Sequence, residues 1–421
     1  WGKAGPAPQP PIAMSSATSD DTKIWSSNGY RQRNFMTKRT SLKALLGHAL
    51  LGAIFANAAY ASLSTLSDQT ASDFMSLPLT TMETATPMVM MVMSRDEQLF
   101  KKAYSDYTDL DGDGLLDTTY INDFVYTGYF DSNLCYTYIG DNDGYRASST
   151  ANNHQCTGNN WSGNFLNWLT MSRLDVLRFV LYGGYRSHDT GSKTVLARAH
   201  IPNDGHAWAK VYSGPDTNLY TPYSGTVSFC NASFGSSGLP KLRKATGNWS
   251  EWASTAITQC AWRTGNQPSA SADTNWFDVP SQSAHGGAEF TVRVDVCRSA
   301  SGALQESFCR EYSAGNKPAG LLQQYGENGS LRFGLMTGSF SRPRSGGVLR
   351  RNIGQLAGNG SNPAVCVAGD EIKLSDGTFC NQSDGTEGII NTINRLKIDT
   401  GQWNNSPPWS DCSSWGIHNR V

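Results

Sequence analysis

No C-x-x-C pair occurs among the nine cysteines of this 421-residue chain, which excludes a zinc ribbon and a thioredoxin-like redox motif. The G-x-S-x-G elbow, the H-E-x-x-H helix and the Walker loop are missing as well, so none of those three catalytic signatures is available. Excess charge is lacking: Lys+Arg 34 against Asp+Glu 35 leaves a net charge of −1. That removes the basic footprint of a nucleic-acid binder and the polybasic segment of a lipid-surface protein. Charged residues make up only 16% of the chain, below the roughly 25% of an average globular protein. No stretch reaches the roughly 18 apolar residues of a membrane span, so the mature form is expected to have none. Aromatics at 11%, with 12 Trp and 42 Gly, point to strands and turns rather than a helical bundle. The length suits two or three domains, or one large domain with insertions.

The most informative stretch is 104–120, YSDYTDLDGDGLLDTTY, which places Asp109, Asp111, Asp113 and Asp117 around Gly112 and Gly114. Two carboxylates about 4 Å apart repel by roughly 4 kcal/mol at a protein-like surface dielectric, so closing several onto one point needs a cation. Calcium takes six to eight hard oxygen ligands. Asp109, Asp111 and Asp113 match the first, third and fifth positions of an EF-hand-type loop, Gly114 stands at the sharp turn, Leu115 offers its carbonyl, and Asp117 serves directly or through water. Tyr120 stands where such a loop carries its bidentate Glu, so the expectation is a weak site suited to millimolar extracellular calcium. The plainer reading is an Asp/Gly-rich turn without metal.

The N-terminal part speaks to compartment. Met36, Lys38 and Arg39 precede an apolar run over 45–59 that ends in Ala59-Tyr60-Ala61, a small-residue cleavage site, so 36–61 reads as a secretory signal peptide cleaved before Ser62. Residues 1–35 precede that start and are expected to be a non-native or upstream extension. Residues 62–86 read as a Ser/Thr-rich linker. Secretion favours disulfides. Sequence leaves their connectivity open, but neighbour pairing (135–156, 230–260, 297–309, 366–380) would staple four loops and leave Cys412 over.

Along the rest of the chain, the apolar run 87–93 suggests a strand buried on both faces, as at the centre of a parallel sheet. Alternation over 120–138 suggests a hairpin. A single helix is expected over 161–185, capped by Asn164 and ended by Gly183-Gly184. Strands are expected at 194–201, 207–212, 289–296 and 331–340, a hairpin at 345–351, and a second helix over 387–398. The acidic turn at 141–144 is too short to be a metal site by itself. His200 and His206, with Asp204, flank a turn without zinc-type spacing and read as structural. Residues 213–328 look like a β-rich insertion.

Several stretches together resemble the secreted PilC/PilY family of type IV pilus tip-associated proteins: MVMMVMSRDEQLFKKAYSDYTDLDGDGLLDTTY, GYFDSNLCYTY, WSGNFLNWLTMSRLDVLRFVLYGGYRS, IPNDGHAWAK, GLLQQYGENGSLRFGLMTGSF and GGVLRRNI. The resemblance implies an α/β fold over 87–421, a von Willebrand factor A-like sheet with helices, interrupted by β-rich, disulfide-bearing insertions. It implies roles in pilus biogenesis, retraction control and adhesion, with pilus subunits (minor pilins) and a host or abiotic surface ligand as partners. Periplasm, outer membrane and pilus tip are the implied locations. In full-length members a C-terminal β-propeller with its own calcium site follows; none is visible here, and the chain reads as truncated. One departure matters. A metal-dependent adhesion site would place D-x-S-x-S after the first strand, and Ser94-Arg95-Asp96-Glu97-Gln98 stands there instead. The leading expectation is therefore a non-enzymatic pilus component whose Asp loop binds calcium. The alternatives are a secreted calcium-dependent polysaccharide hydrolase and a purely structural, calcium-stabilised scaffold domain.

Overall fold

The computed structural model describes residues 86–94, 97–202, 206–234, 238–249, 252, 259–260, 262, 286–338, 347–380, 388–398 and 419–420, all within one compact unit. The extension 1–35, the signal peptide, the linker up to residue 85, Asp204 and Cys412 lie outside these residues. Among the described residues, no helix is long and apolar enough to cross a membrane.

Among the described residues, three sheets of three or more strands, two two-stranded ladders and five short α-helices make a mixed α/β, sheet-rich unit. The first strand, β1 (Met88–Met93), opens the described chain; β2 (Leu134–Gly140), β3 (Gly144–Thr150) and β4 (Trp161–Ser162) follow the Asp loop. Helices α1 (Gly163–Thr170) and α2 (Arg173–Tyr182) come next, then β5 (Arg186–Thr190), β6 (Lys193–Ala197), β7 (Trp208–Tyr212) and α3 (Thr217–Tyr220). Strands β8 (Val227–Phe234), β9 (Leu239–Thr246), β10 (Ala288–Thr291), β11 (Arg293–Val296), β12 (Cys309–Tyr312) and β13 (Gly315–Pro318) lead to α4 (Leu321–Gly326). The chain continues through β14 (Arg332–Gly338), β15 (Gly347–Gly354) and α5 (Ile389–Asn394). The larger sheets run β4-β2-β3-β11-β6-β5 and β10-β9-β8-β7, and a three-stranded sheet runs β1-β14-β15. The stretch 213–328 thus supplies strands to more than one sheet, with β11 pairing to both β3 and β6.

Two expectations are corrected here. The apolar run 87–93 forms a strand, parallel to β14 in register Met88 to Arg332, but it lies at the sheet edge. Its alternate residues Met88 and Val92 are 65% and 73% exposed, while Met91 and Met93 pack on the core with Phe333 and Leu335. Apolarity on both faces therefore does not mean burial on both faces. The expected single helix is two helices broken at Met171 and Ser172. Ser172 Oγ accepts the Asp175 N–H at 3.2 Å while Asp175 Oδ2 accepts the Ser172 N–H at 3.1 Å, a capping box that starts α2. Asn164 is not a cap either: Ser162 Oγ accepts from Phe165 N–H at 3.3 Å and caps α1. Gly183 ends α2 as expected, at φ +81°.

Asn164 and Asn167 do something else. From the buried face of α1 they hold the irregular segment 120–130, where no hairpin forms. Asn164 Oδ1 accepts the Tyr126 N–H at 2.9 Å and its amide donates to the Phe124 carbonyl at 2.9 Å. Asn167 Oδ1 accepts the Phe130 N–H at 3.1 Å and its amide donates to the Tyr126 and Phe130 carbonyls at 2.7 Å each. With those backbone groups satisfied, a non-repetitive segment can be buried. Around it, Trp161, Phe165, Tyr136, Tyr145 and Phe229 form the main aromatic core, while α2, α4 and α5 pack Leu174, Leu322 and Ile390 against Phe333 and Leu335 of β14.

The acidic turn at 141–143 joins β2 to β3, and its carboxylates are ion-paired: Lys241 with Asp141 at 2.8 Å and Lys193 with Asp143 at 2.7 Å. Lys241 and hydroxyl donors hold the Asp141 carboxyl down at about 2 in spite of the opposing effect of burial. Among the described residues, four disulfides join sequence neighbours, Cys135–Cys156, Cys230–Cys260, Cys297–Cys309 and Cys366–Cys380.

Candidate metal centre

Both ends of the Asp loop are tyrosines rooted in one aromatic cluster. The Tyr104 ring centroid lies 4.8 Å from Tyr126, and Tyr120 lies 5.5 Å from Tyr126 and 5.1 Å from Phe165. Burial pushes the Tyr104 phenol up to about 12 and that of Tyr120 higher, so neither charges near neutrality. Between these roots the Asp117 N–H meets the Thr108 carbonyl at 3.1 Å, closing a narrow stem whose tip is largely exposed.

Inside the tip the aspartates first organise their own backbone. Asp109 Oδ1 accepts the Gly112 N–H at 2.7 Å and Oδ2 the Gly114 N–H at 2.9 Å. The turn needs φ of +81° at Gly112 and +89° at Gly114, a region where a side chain would be strained. Asp117 accepts the Leu110 N–H. The result is that ligating oxygens of Asp109, Asp111 and Asp117 all lie within 4.8 Å of one another. Asp113 stands outside that group, its Oδ1 accepting the Leu115 N–H at 2.7 Å. The Leu115 side chain is exposed at the tip. An oxygen-only donor set of this kind suits calcium or magnesium and not zinc or copper.

Below the stem lies a group that spacing rules do not find. Lys210 of β7, with a side chain only 1% exposed, donates from Nζ to the Tyr104 carbonyl at 2.9 Å and to Asp106 Oδ1 at 3.1 Å. Lys102 holds the other Asp106 oxygen at 2.6 Å, and the Trp168 ring centroid lies 3.9 Å from the Lys210 ammonium. Burial pushes that ammonium down to about 7, with Asp106 pulling the other way. The available signal was the alternation of β7, where Trp208, Lys210 and Tyr212 share the inward face.

A second group, Cys297, Glu306 and Cys309, also brings ligating atoms together, but its two sulfurs are joined as a disulfide and offer no thiolate. His200 and His206 join no group of three ligating side chains among the described residues.

The family model described as "PilY1 homolog, small alpha/beta domain" matches residues 117–253, and that described as "PilY1 homolog, second domain" matches 333–420. The first match begins at Asp117, so most of the Asp loop lies ahead of it. Two proteins of Xylella fastidiosa (strain Temecula1 / ATCC 700964), each named type IV pilus biogenesis factor PilY1 homolog, are similar to this chain. One is 36% identical over 333 residues, which is 73% of this chain and 21% of that protein. The other is 31% identical over 317 residues, 68% of this chain and 24% of that protein. The chain thus spans less than a quarter of the length of either relative. No solved structure matches it. Both family models and both relatives agree over the parts they cover, and the chain belongs to the PilY1-homolog family.

Proposed function

We propose that this chain is part of a secreted, extracytoplasmic type IV pilus component that works in pilus biogenesis and adhesion by binding rather than catalysis. The pilus assignment rests on the relatives' names. Minor pilins and a host or abiotic surface are the partners we assign to it, with periplasm, outer membrane and pilus tip as its locations. Parallel pairing of β1 with β14, with helices packed on one face of that sheet, supports a von Willebrand factor A-like core.

The observation that carries the metal reading is the convergence of Asp109, Asp111 and Asp117 at the tip of a core-rooted loop. Asp113 and the Leu115 carbonyl are the further oxygens that the loop pattern supplies. A bound calcium ion would neutralise these carboxylates and order the tip. The expected result is a calcium-dependent rise in thermal midpoint for the oxidised protein, with magnesium as control. A site with affinity near 10⁻⁴ M gives about 1.4 kcal/mol at roughly 1 mM calcium. Asp111→Ala abolishes the rise. A variant that responds to calcium like the parent places the metal elsewhere, and no response in either reduces the loop to a turn. Surface attachment assayed with and without calcium then separates an adhesive loop from a purely structural one.

A further inference from the structure

We propose that Lys210 is a positioning residue for the Asp loop, so that the loop's hold on a cation depends on the Lys210 ammonium. This rests on the calcium reading above and adds to it a control built into the fold.

The geometry isolates Lys210 as the tie. A cleft of about 260 Å³ separates the stem from β7; Asp106, Tyr107 and Thr118 line it from the stem, Ala209, Lys210 and Val211 from the strand, and Trp168 from α1. Lys210 crosses that gap. Its ammonium bonds the Tyr104 carbonyl and the Asp106 carboxylate, four and two residues ahead of the stem pair at Thr108. The Tyr104 and Tyr120 rings both sit in the aromatic cluster, so what sets the first half apart is the stretch between Tyr104 and Thr108, whose carbonyl and carboxylate Lys210 ties to β7. If the ammonium is lost, the stretch between the seated Tyr104 ring and Thr108 loses its tie to β7 and shifts toward the cleft, and Asp109 and Asp111 move relative to Asp117. The charged groups facing Lys210 are Asp106 and, behind it, Lys102; Tyr104 adds only its carbonyl and Trp168 only its ring.

The direction of its pH dependence sets this apart from general packing. An aspartate site with ordinary carboxylates is fully ionised above about pH 6 and its calcium affinity is flat from there upward. Because burial holds Lys210 near neutrality, a site positioned by it weakens across that same range. The sign is opposite to that of carboxylate titration.

The test is calorimetric calcium titration of the full chain at about pH 6 and about pH 8.5, with amide hydrogen exchange at Leu110, Gly112 and Gly114. The parent protein is expected to bind roughly tenfold more weakly at the higher pH. Lys210→Met is expected to bind weakly at both and to exchange those amides faster with or without calcium. Asp106→Asn, at a partly exposed position, is the second variant should Lys210→Met fail to fold, and is expected to weaken binding in the same direction. Parent affinity that is flat across this range, together with unchanged affinity and exchange in a folded variant, overturns the proposal and leaves the calcium site standing. If no protein binds calcium, the calcium reading fails, and the exchange data alone decide whether Lys210 holds the loop.

Discussion

Asn167→Ala is expected to destabilise the protein by about 4 kcal/mol, a large part of the roughly 5–15 kcal/mol that holds a domain together. The side chain is fully buried and serves three backbone groups of the 126–130 segment. Truncation leaves the Phe130 N–H and carbonyl unpaired and the Tyr126 carbonyl with only the 3.4 Å bond from Ser132 Oγ, each lost partner worth about 1–3 kcal/mol and partly offset where the segment relaxes. Gly128 is the matching constraint: a Cβ there would stand 2.3 Å from Asn167 Oδ1, against a neighbour that cannot yield without losing its bonds. Gly128→Ala is therefore expected to fall in the same range. Urea unfolding of both variants decides it. A loss below about 1 kcal/mol for Asn167→Ala would show that water replaces the amide at no cost.

The second large effect is a pH dependence centred on Glu306. This residue is 3% exposed, and burial pushes its carboxyl up to about 7, opposed by the N–H of Cys297 and reinforced by the nearby Asp131 and Asp295. A carboxyl raised in the folded state binds more protons there than in the unfolded chain between its ordinary value and about 7. Its stabilising contribution is therefore complete below its unfolded value and disappears as pH climbs through the folded one. The shift corresponds to about 3 kcal/mol across that window. Glu327 and Glu371 are raised as well, so the quantity to measure is the difference between Glu306→Gln and its parent from about pH 4.5 to about pH 7.5. The variant is expected to be less sensitive to pH by that amount. Parallel stability curves for the two proteins would mean that Glu306 keeps its charge when buried.

What the sequence made legible follows the range of each interaction. The turn at the Asp loop was readable because its carboxylates are neighbours: spacing brings Asp109, Asp111 and Asp117 together around two glycines that must adopt positive φ, while Asp113 turns to the Leu115 N–H instead. Strands β7 and β14 and helix α5 announced themselves through local alternation or helical spacing, whereas the single strand expected over 289–296 is broken at Val292 into β10 and β11, which join different sheets. The break at Ser172 was hidden because apolar residues continue through Met171, and the capping pair Ser172 and Asp175 is only a short polar interruption. The edge position of β1 could not be read at all. How many partners a strand has depends on residues more than two hundred positions away, and six apolar residues look the same at an edge as at a centre. Asn164 was misread and Lys210 missed for a related reason: their partners lie on other segments, and for Lys210 only the alternation of β7 marks its inward position.

The parallel pairing of β1 and β14 also defines how the molecule would carry a load. A pull through the flanking chain reaches β1 at Met88 and β14 at Gly338, opposite ends of a ladder in which Met88 sits beside Arg332 and Met93 beside Thr337. Strand β15, the antiparallel neighbour of β14, meets that pull first and peels away pair by pair. The ladder behind it is loaded in shear, so its six register pairs must give way together rather than in sequence. Everything from 94 to 331, including the Asp loop and the disulfides Cys135–Cys156, Cys230–Cys260 and Cys297–Cys309, is spliced between those two strands.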